Sequence, residues 1–171
     1  MVLDLTAIEM PTVTPPPGIE IVAWAERPEL ADGLWEVARE AQPDIPGEEE
    51  TDTGTFEEWL DRDMRGAEDR PEAVFVAREA GAVLGYAKLS FSAERTDRAF
   101  HDLTGVKRAH RARGIASALK SSQIAWAKEH GYKSLQTSNE VRNAPIRHLN
   151  AKHGYVPEPG TVIVRATIAA T

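Results

Sequence analysis

Apolar residues recur along this chain with two different spacings, and the switches between them lay out the elements. Residues 19–25 (IEIVAWA) place Ile19, Ile21 and Ala23 at alternate positions, the two-residue period of a strand. Pro28 suits a first helical turn, and Leu30, Leu34, Val37 and Ala41 follow at helical spacing. Residues 42–54 (QPDIPGEEETDTG) follow neither period and read as a loop from their Pro, Gly and acidic content. Thr55 and Glu58 have capping-box spacing and open a second predicted helix carrying Phe56, Trp59, Leu60 and Met64. Two strands, residues 72–79 and 82–92, flank the turn residues Ala80 and Gly81. Val83, Gly85, Ala87, Leu89 and Phe91 are expected on one face of the second strand.

Residues 98–106 make the next predicted strand. A helix then runs from about 114 to 130, with Ile115, Leu119, Ser122 and Trp126 on one stripe, Ala118 and Ala125 beside it, and Gly131 as its stop. Residues 133–138 form a short strand. Asn143 can cap a further helix, with Pro145 in its first turn and Ile146 and Leu149 on its inner face. A short extra strand is expected near Tyr155, and residues 161–168 (TVIVRATI) form a last one. Antiparallel strands followed by a strand–helix–strand crossover predict a mixed α/β domain with helices on both sheet faces. Ahead of it, residues 1–18 end in Pro15, Pro16, Pro17 and Gly18, which predicts an extended or disordered arm. Residues 19–171 then form a single domain.

Composition narrows the function classes. The chain has 171 residues, 42% hydrophobic and 27% charged, which suits one globular domain. No apolar run is long enough to span a membrane, and no basic region precedes the first apolar residues, so a cytoplasmic location is expected. Cysteine is absent, which removes disulfides, thiolate metal sites and cysteine nucleophiles. The net charge of −7 argues against nucleic acid as the main partner.

The stretch that carries chemistry is residues 106–120 (VKRAHRARGIASALK), where a strand ends in a basic, glycine-containing turn that runs straight into a helix. First-turn amides have no internal partner and sit at the positive end of the helix dipole. Gly114 and Ala116 keep side chains away, so a pyrophosphate can approach the backbone, with Lys107, Arg108, Arg111 and Arg113 nearby. The stretch is neither a Walker A loop nor a G-x-G-x-x-G turn.

Arg111, Gly114 and Ala116 match the R/Q-x-x-G-x-G/A signature of the GNAT family of N-acetyltransferases, and Val106 matches the valine that usually ends that family's fourth strand. Residues 137–155 (TSNEVRNAPIRHLNAKHGY) resemble the family's second cofactor segment, a strand leading to an Asn-started helix that ends in Gly-Phe or Gly-Tyr. The resemblance covers residues 19 to 168 and implies a central mixed, largely antiparallel sheet of six to seven strands. It also implies acetyl-CoA as co-substrate, no metal, and direct attack of an amine on the thioester. By position, backbone amides of Arg113, Gly114, Ile115 and Ala116 would cradle the CoA pyrophosphate beside Arg111. Thr104 and Val106 would offer backbone groups to pantetheine, and Asn143 would hydrogen-bond the cofactor arm, a role compatible with capping the helix.

The resemblance also exposes a departure. The family's usual general acid, a tyrosine four residues before the final glycine, is Asn150 here, which is left to hydrogen-bond the sulfur. Tyr155, one residue past that glycine, is expected to pack inward. For the base, His101, Asp102 and Glu140 are candidates, as is a water. Alternation places Asp102, Thr104 and Val106 on one strand face and His101 on the other. No histidine spacing suggests a metal site.

The acceptor pocket of this fold is usually shaped by the first two helices and their loop, which here holds Asp44, Glu48, Glu49, Glu50 and Asp52. Such carboxylates would favour a small cationic amine or aminoglycoside-type antibiotic. Tyr86 and Trp35 could line its apolar part. A protein or peptide acceptor, and a non-catalytic CoA-binding module, are the alternatives. A homodimer paired through residues 161–168 is a further expectation.

Overall fold

The computed structural model describes residues 1–46 and 51–160 of the chain. Among the described residues the sheet has six strands: β1 (Val2–Asp4), β2 (Glu20–Ala23), β3 (Asp69–Glu79), β4 (Ala82–Phe91), β5 (Arg98–Val106) and β6 (Ser134–Thr137), in the spatial order β1-β6-β5-β4-β3-β2. Every pairing is antiparallel except that of β5 with β6. Four α-helices accompany it: α1 (Ala31–Ala41), α2 (Phe56–Asp63), α3 (Ile115–Glu129) and α4 (Ala144–Lys152). The last strand foreseen from sequence, residues 161–168, lies outside the described residues, and with it the expected dimer contact.

Both faces of the sheet are covered, which is why β3 reads as a nearly continuous apolar run rather than an alternation. Val74 and Val76 of β3 pack with Leu34 and Val37 of α1 and Trp59 of α2. Phe75 and Ala77, one residue out of phase, pack with Ile115 and Leu119 of α3. Thr55 accepts from the Glu58 amide while the Glu58 carboxylate accepts from the Thr55 amide, so the capping box starts α2 as foreseen. Gly33 lets α1 lie close on β4, since a Cβ there would sit 2.5 Å from Val83 Cγ2.

Three features depart from the sequence reading. The start of the expected arm enters the sheet: β1 (Val2–Asp4) pairs with β6, and Leu3 and Leu5 are buried in the core beside Leu135. Three residues are too few to show a period, and their partner strand lies more than 130 positions away. The extra strand near Tyr155 is a single bridge, Val2 to Val156. Two bulges also flip faces. Between the pairs Ala77–Gly85 and Arg78–Val83, β4 carries one extra residue, so Val83 joins the α1 side while Ala87, Leu89 and Phe91 face α3. Between Ala87–Thr104 and Leu89–His101, β5 carries one extra residue, leaving Asp102 and Leu103 opposite Lys88.

Candidate functional site

The second bulge corrects the expected partition of β5. His101 pairs with Leu89 and Thr104 with Ala87, so both lie on the α3 face, together with Val106. Asp102 turns to the opposite face, where its Oδ2 lies 2.8 Å from Lys88 Nζ. Lys88 also pairs with Asp69 at 2.8 Å and donates to the Asp63 carbonyl at the end of α2. Burial works against the Lys88 charge, but Asp102 and Asp69 outweigh it and hold the ammonium above its ordinary range.

The parallel strands β5 and β6 pair only from Arg98–Ser134 to His101–Thr137. Beyond that point they part, and a cleft of ≈ 810 Å³ opens between the end of β5, the first turns of α3 and the start of α4. His101, Asp102, Thr104, Val106, Arg111, Gly114, Ile115, Ala116 and Asn143 all line it, with Ile146 and Leu149 as an apolar wall. The structure brings together most of the residues singled out from the sequence. Arg113 and Asn150 are among the exceptions. Arg113 turns away to pair with Glu79 at 2.8 Å. Asn150 is fully buried, with Nδ2 donating to Asn139 Oδ1 at 2.8 Å and Oδ1 without a hydrogen-bond partner among the described residues.

The turn before α3 has a backbone suited to an anion. Gly114 stands at the helix N-cap with φ 85° and ψ 0°, a conformation that penalises any side chain, and no side chain caps the first turn. Ala112, also left-handed at φ 60°, precedes it. The amides at the start of α3 therefore remain available to a phosphate, and the residues present fit the pyrophosphate of CoA. The surrounding cations are tied down by carboxylates from earlier in the chain. Lys107 meets Glu36 at 2.6 Å, while Arg108 and Arg111 meet Asp44 at 2.7 and 2.6 Å. Arg111 Nε also donates to the Val106 carbonyl at 2.9 Å. Hydrogen bonding from Arg108 and then Arg111 holds the Asp44 carboxyl at about 2.

Those pairings revise the expected acidic acceptor loop. Asp44 belongs to the turn, Asp52 accepts from the Gly54 amide, and Glu48, Glu49 and Glu50 lie outside the described residues. An acidic hollow lies elsewhere: a pocket of ≈ 330 Å³ whose charged lining is Asp63, Glu68, Asp69 and Asp102 with Arg62, paired to Asp63 at 2.7 Å, and Lys88. Asp102 lines both the cleft and this pocket. Tyr86 is a buried core residue against Trp59, and Trp35 packs on Phe56, so neither lines the cleft. Glu140 is exposed and outside the cleft lining.

Behind the cleft floor lies a polar cluster that the helical stripe of α3 did not reveal. His101 Nδ1–H donates to Gln123 Oε1 at 2.9 Å, and the Tyr155 hydroxyl donates to His101 Nε2. Burial keeps His101 neutral by pushing its pKa well down, and it raises that of Tyr155, which packs inward as expected. Both ring nitrogens of His101 are thus committed within the fold. Lys120 completes the cluster, 5.2 Å from the Tyr155 ring centroid. Ala116, Lys120, Gln123 and Ala127 recur at helical spacing, and that second stripe was the available signal. Among the described residues no group of metal-ligating side chains comes together, and no helix is long and apolar enough to cross a membrane.

Comparisons with known proteins agree with this geometry. The profile described as "Acetyltransferase (GNAT) family" matches residues 29–155. No curated protein sequence matches the chain. A GCN5-related N-acetyltransferase from Sphaerobacter thermophilus superposes with a TM-score of 0.69 at 23% identity, over 90% of this chain and 45% of its own. This chain thus spans about half the length of that protein. The Salmonella typhimurium protein yncA, solved with its cofactor acetyl-CoA, gives 0.66 at 19% identity, covering 81% of this chain and 80% of its own. An aminoglycoside acetyltransferase from an uncultured soil metagenomic sample, in complex with sisomicin, gives 0.60 at 15%, covering 88% and 95%. With strand order, cleft, phosphate turn and profile in agreement, this chain belongs to the GNAT family of acetyltransferases.

Proposed function

We propose that this protein transfers the acetyl group of acetyl-CoA to the amine of a small cationic acceptor. The observation that carries the reading is the placement of Asp102, which lines the cleft and the acidic pocket at once. In this reading the amides of Gly114, Ile115 and Ala116 hold the pyrophosphate, with Arg111 beside it. Thr104 and Val106 present backbone groups along the parted edge of β5, and Asn143, whose side chain makes no capping bond, reaches the cofactor arm. Acetyl-CoA supplies the activated acyl group when bound. The carboxylates of Asp63, Glu68, Asp69 and Asp102 draw in a cation, and Asp102 accepts the proton that its ammonium must lose before attack. The sisomicin complex of a structural neighbour supports a polyamine-like acceptor.

Thiol release from acetyl-CoA against polyamines, aminoglycosides, diamino acids and short peptides tests the reading. Release with one class of cationic small amine is expected, and Asp102→Asn should lower it about 100-fold. Release with peptides alone would replace the acceptor assignment, and an unimpaired Asp102→Asn variant would remove the base.

A further inference from the structure

α3 turns Ser117, Lys120 and Gln123 inward in succession, and of these Lys120 is the least expected. It is 1% exposed, yet it lines the cleft. The titratable groups that face it are His101 from β5 and, beyond α4, His153 and Tyr155. His153 is half-buried, hydrogen-bonded to Ser117 at 3.0 Å, and pushed down by burial and by Lys120 itself. None of these groups is an anion, and burial, with no opposing carboxylate among the described residues, holds the Lys120 ammonium down to about 7. An ammonium in an interior without counter-charge is costly to keep. The cleft wall is therefore built to meet negative charge that arrives with a ligand.

Asn150 adds a second, independent observation. It stands where the related family carries its acidic tyrosine, and an amide has no proton to give. Tyr155 ties the two positions together: its ring lies against Lys120, and its amide donates to the Asn150 carbonyl at 3.1 Å. Asn150 Oδ1 has no hydrogen-bond partner among the described residues.

We propose that Lys120 is the proton donor to the departing CoA sulfur, in place of the absent tyrosine. This rests on the acetyl-transfer reading above. The amine nitrogen forms a bond to the thioester carbonyl carbon, the carbon–sulfur bond breaks, and its electron pair goes to sulfur. The Lys120 ammonium gives that sulfur a proton and is left neutral. The proton lost by the amine returns to Lys120 through solvent, so the net transfer is one proton from amine to thiol.

The test follows the thiol of bound CoA by its ultraviolet thiolate absorbance, and needs no acceptor. Bound to the native protein, the CoA thiol should titrate about one pH unit or more below free CoA, since thiolate and Lys120 ammonium titrate as a coupled pair in which each charge holds the other. Lys120→Met should restore the free value. Lys120→Arg should keep the lowered titration, because the charge remains, yet lose turnover, because guanidinium does not give up its proton. In acetyl transfer, Lys120→Met should lower kcat about 100-fold with little change in KM for acetyl-CoA. It should also abolish the alkaline limb of the kcat profile, where native Lys120 loses its proton. Lys120→Gln provides a second variant should Met pack poorly. CoA that binds with the same thiol titration in native and Lys120→Met proteins overturns the Lys120 assignment alone. CoA that fails to bind the native protein overturns the acetyl-transfer reading and Lys120 with it.

Discussion

Lys88 and Lys120 are both buried, one on each face of the same sheet, and they live in opposite electrostatic worlds. Lys88 has Asp69 and Asp102 at 2.8 Å and the Asp63 carbonyl besides. Lys120 has two neutral imidazoles and a phenol ring around it. Burial opposes the charge of both, and the carboxylates reverse the outcome for Lys88 only. A buried cation with its counter-charge built in is structural. One without it is kept for something that comes and goes.

The largest expected effect breaks the Lys88 side. Lys88→Met leaves Asp69, nearly buried, without its partner and should cost roughly 3 kcal/mol or more of stability, read by denaturant unfolding. Next, Gly114→Asp places a strained, negatively charged side chain at the phosphate turn. It should weaken CoA binding roughly 100-fold by calorimetry while changing the Lys120 environment little. Third, Lys120→Met should act oppositely to Lys88→Met and raise Tm, by about 3 °C if roughly 1 kcal/mol is recovered. That gain depends on pH. Between about 7 and 10.5 the unfolded chain holds the Lys120 proton and the folded chain does not, so native stability rises with pH and the gap to the variant closes. A Tm gap constant across that window would show Lys120 charged throughout. The smallest effect belongs to the exposed turn. Asp44→Asn removes pairs that solvent screens and should cost under about 1 kcal/mol. Because the folded Asp44 carboxyl lies at about 2 against 3.8 unfolded, that contribution is present above 3.8 and lost as pH falls through about 2.

How much of this was legible depended on range. Elements whose signals are local were readable: the helical spacing from Ile115 to Leu119, the Thr55–Glu58 box, the Ala80–Gly81 turn, and the glycine of the phosphate turn. What hid was everything set by partners far along the chain. Asp44 looked like part of an acidic loop until its two arginines, more than 60 residues on, came alongside. β1 has too few residues to carry a period. The bulges of β4 and β5 break strict alternation, so the faces of Val83, His101 and Asp102 are not readable from it. Lys120 carries no signal of its burial in the sequence, because a lysine in an amphipathic helix is ordinarily solvent-facing.

The bulge in β5 also says which changes of length such a protein can absorb in descent. Substitutions at 101 or 102 trade one side chain for another on the same face. Deleting Leu103 would straighten the strand and still leave His101 opposite Leu89 and Asp102 opposite Lys88. The imidazole would stay beneath α3 and the carboxylate beside the acidic hollow. In this fold the bulge is a spare residue that can be lost without exchanging the chemistry of the two faces.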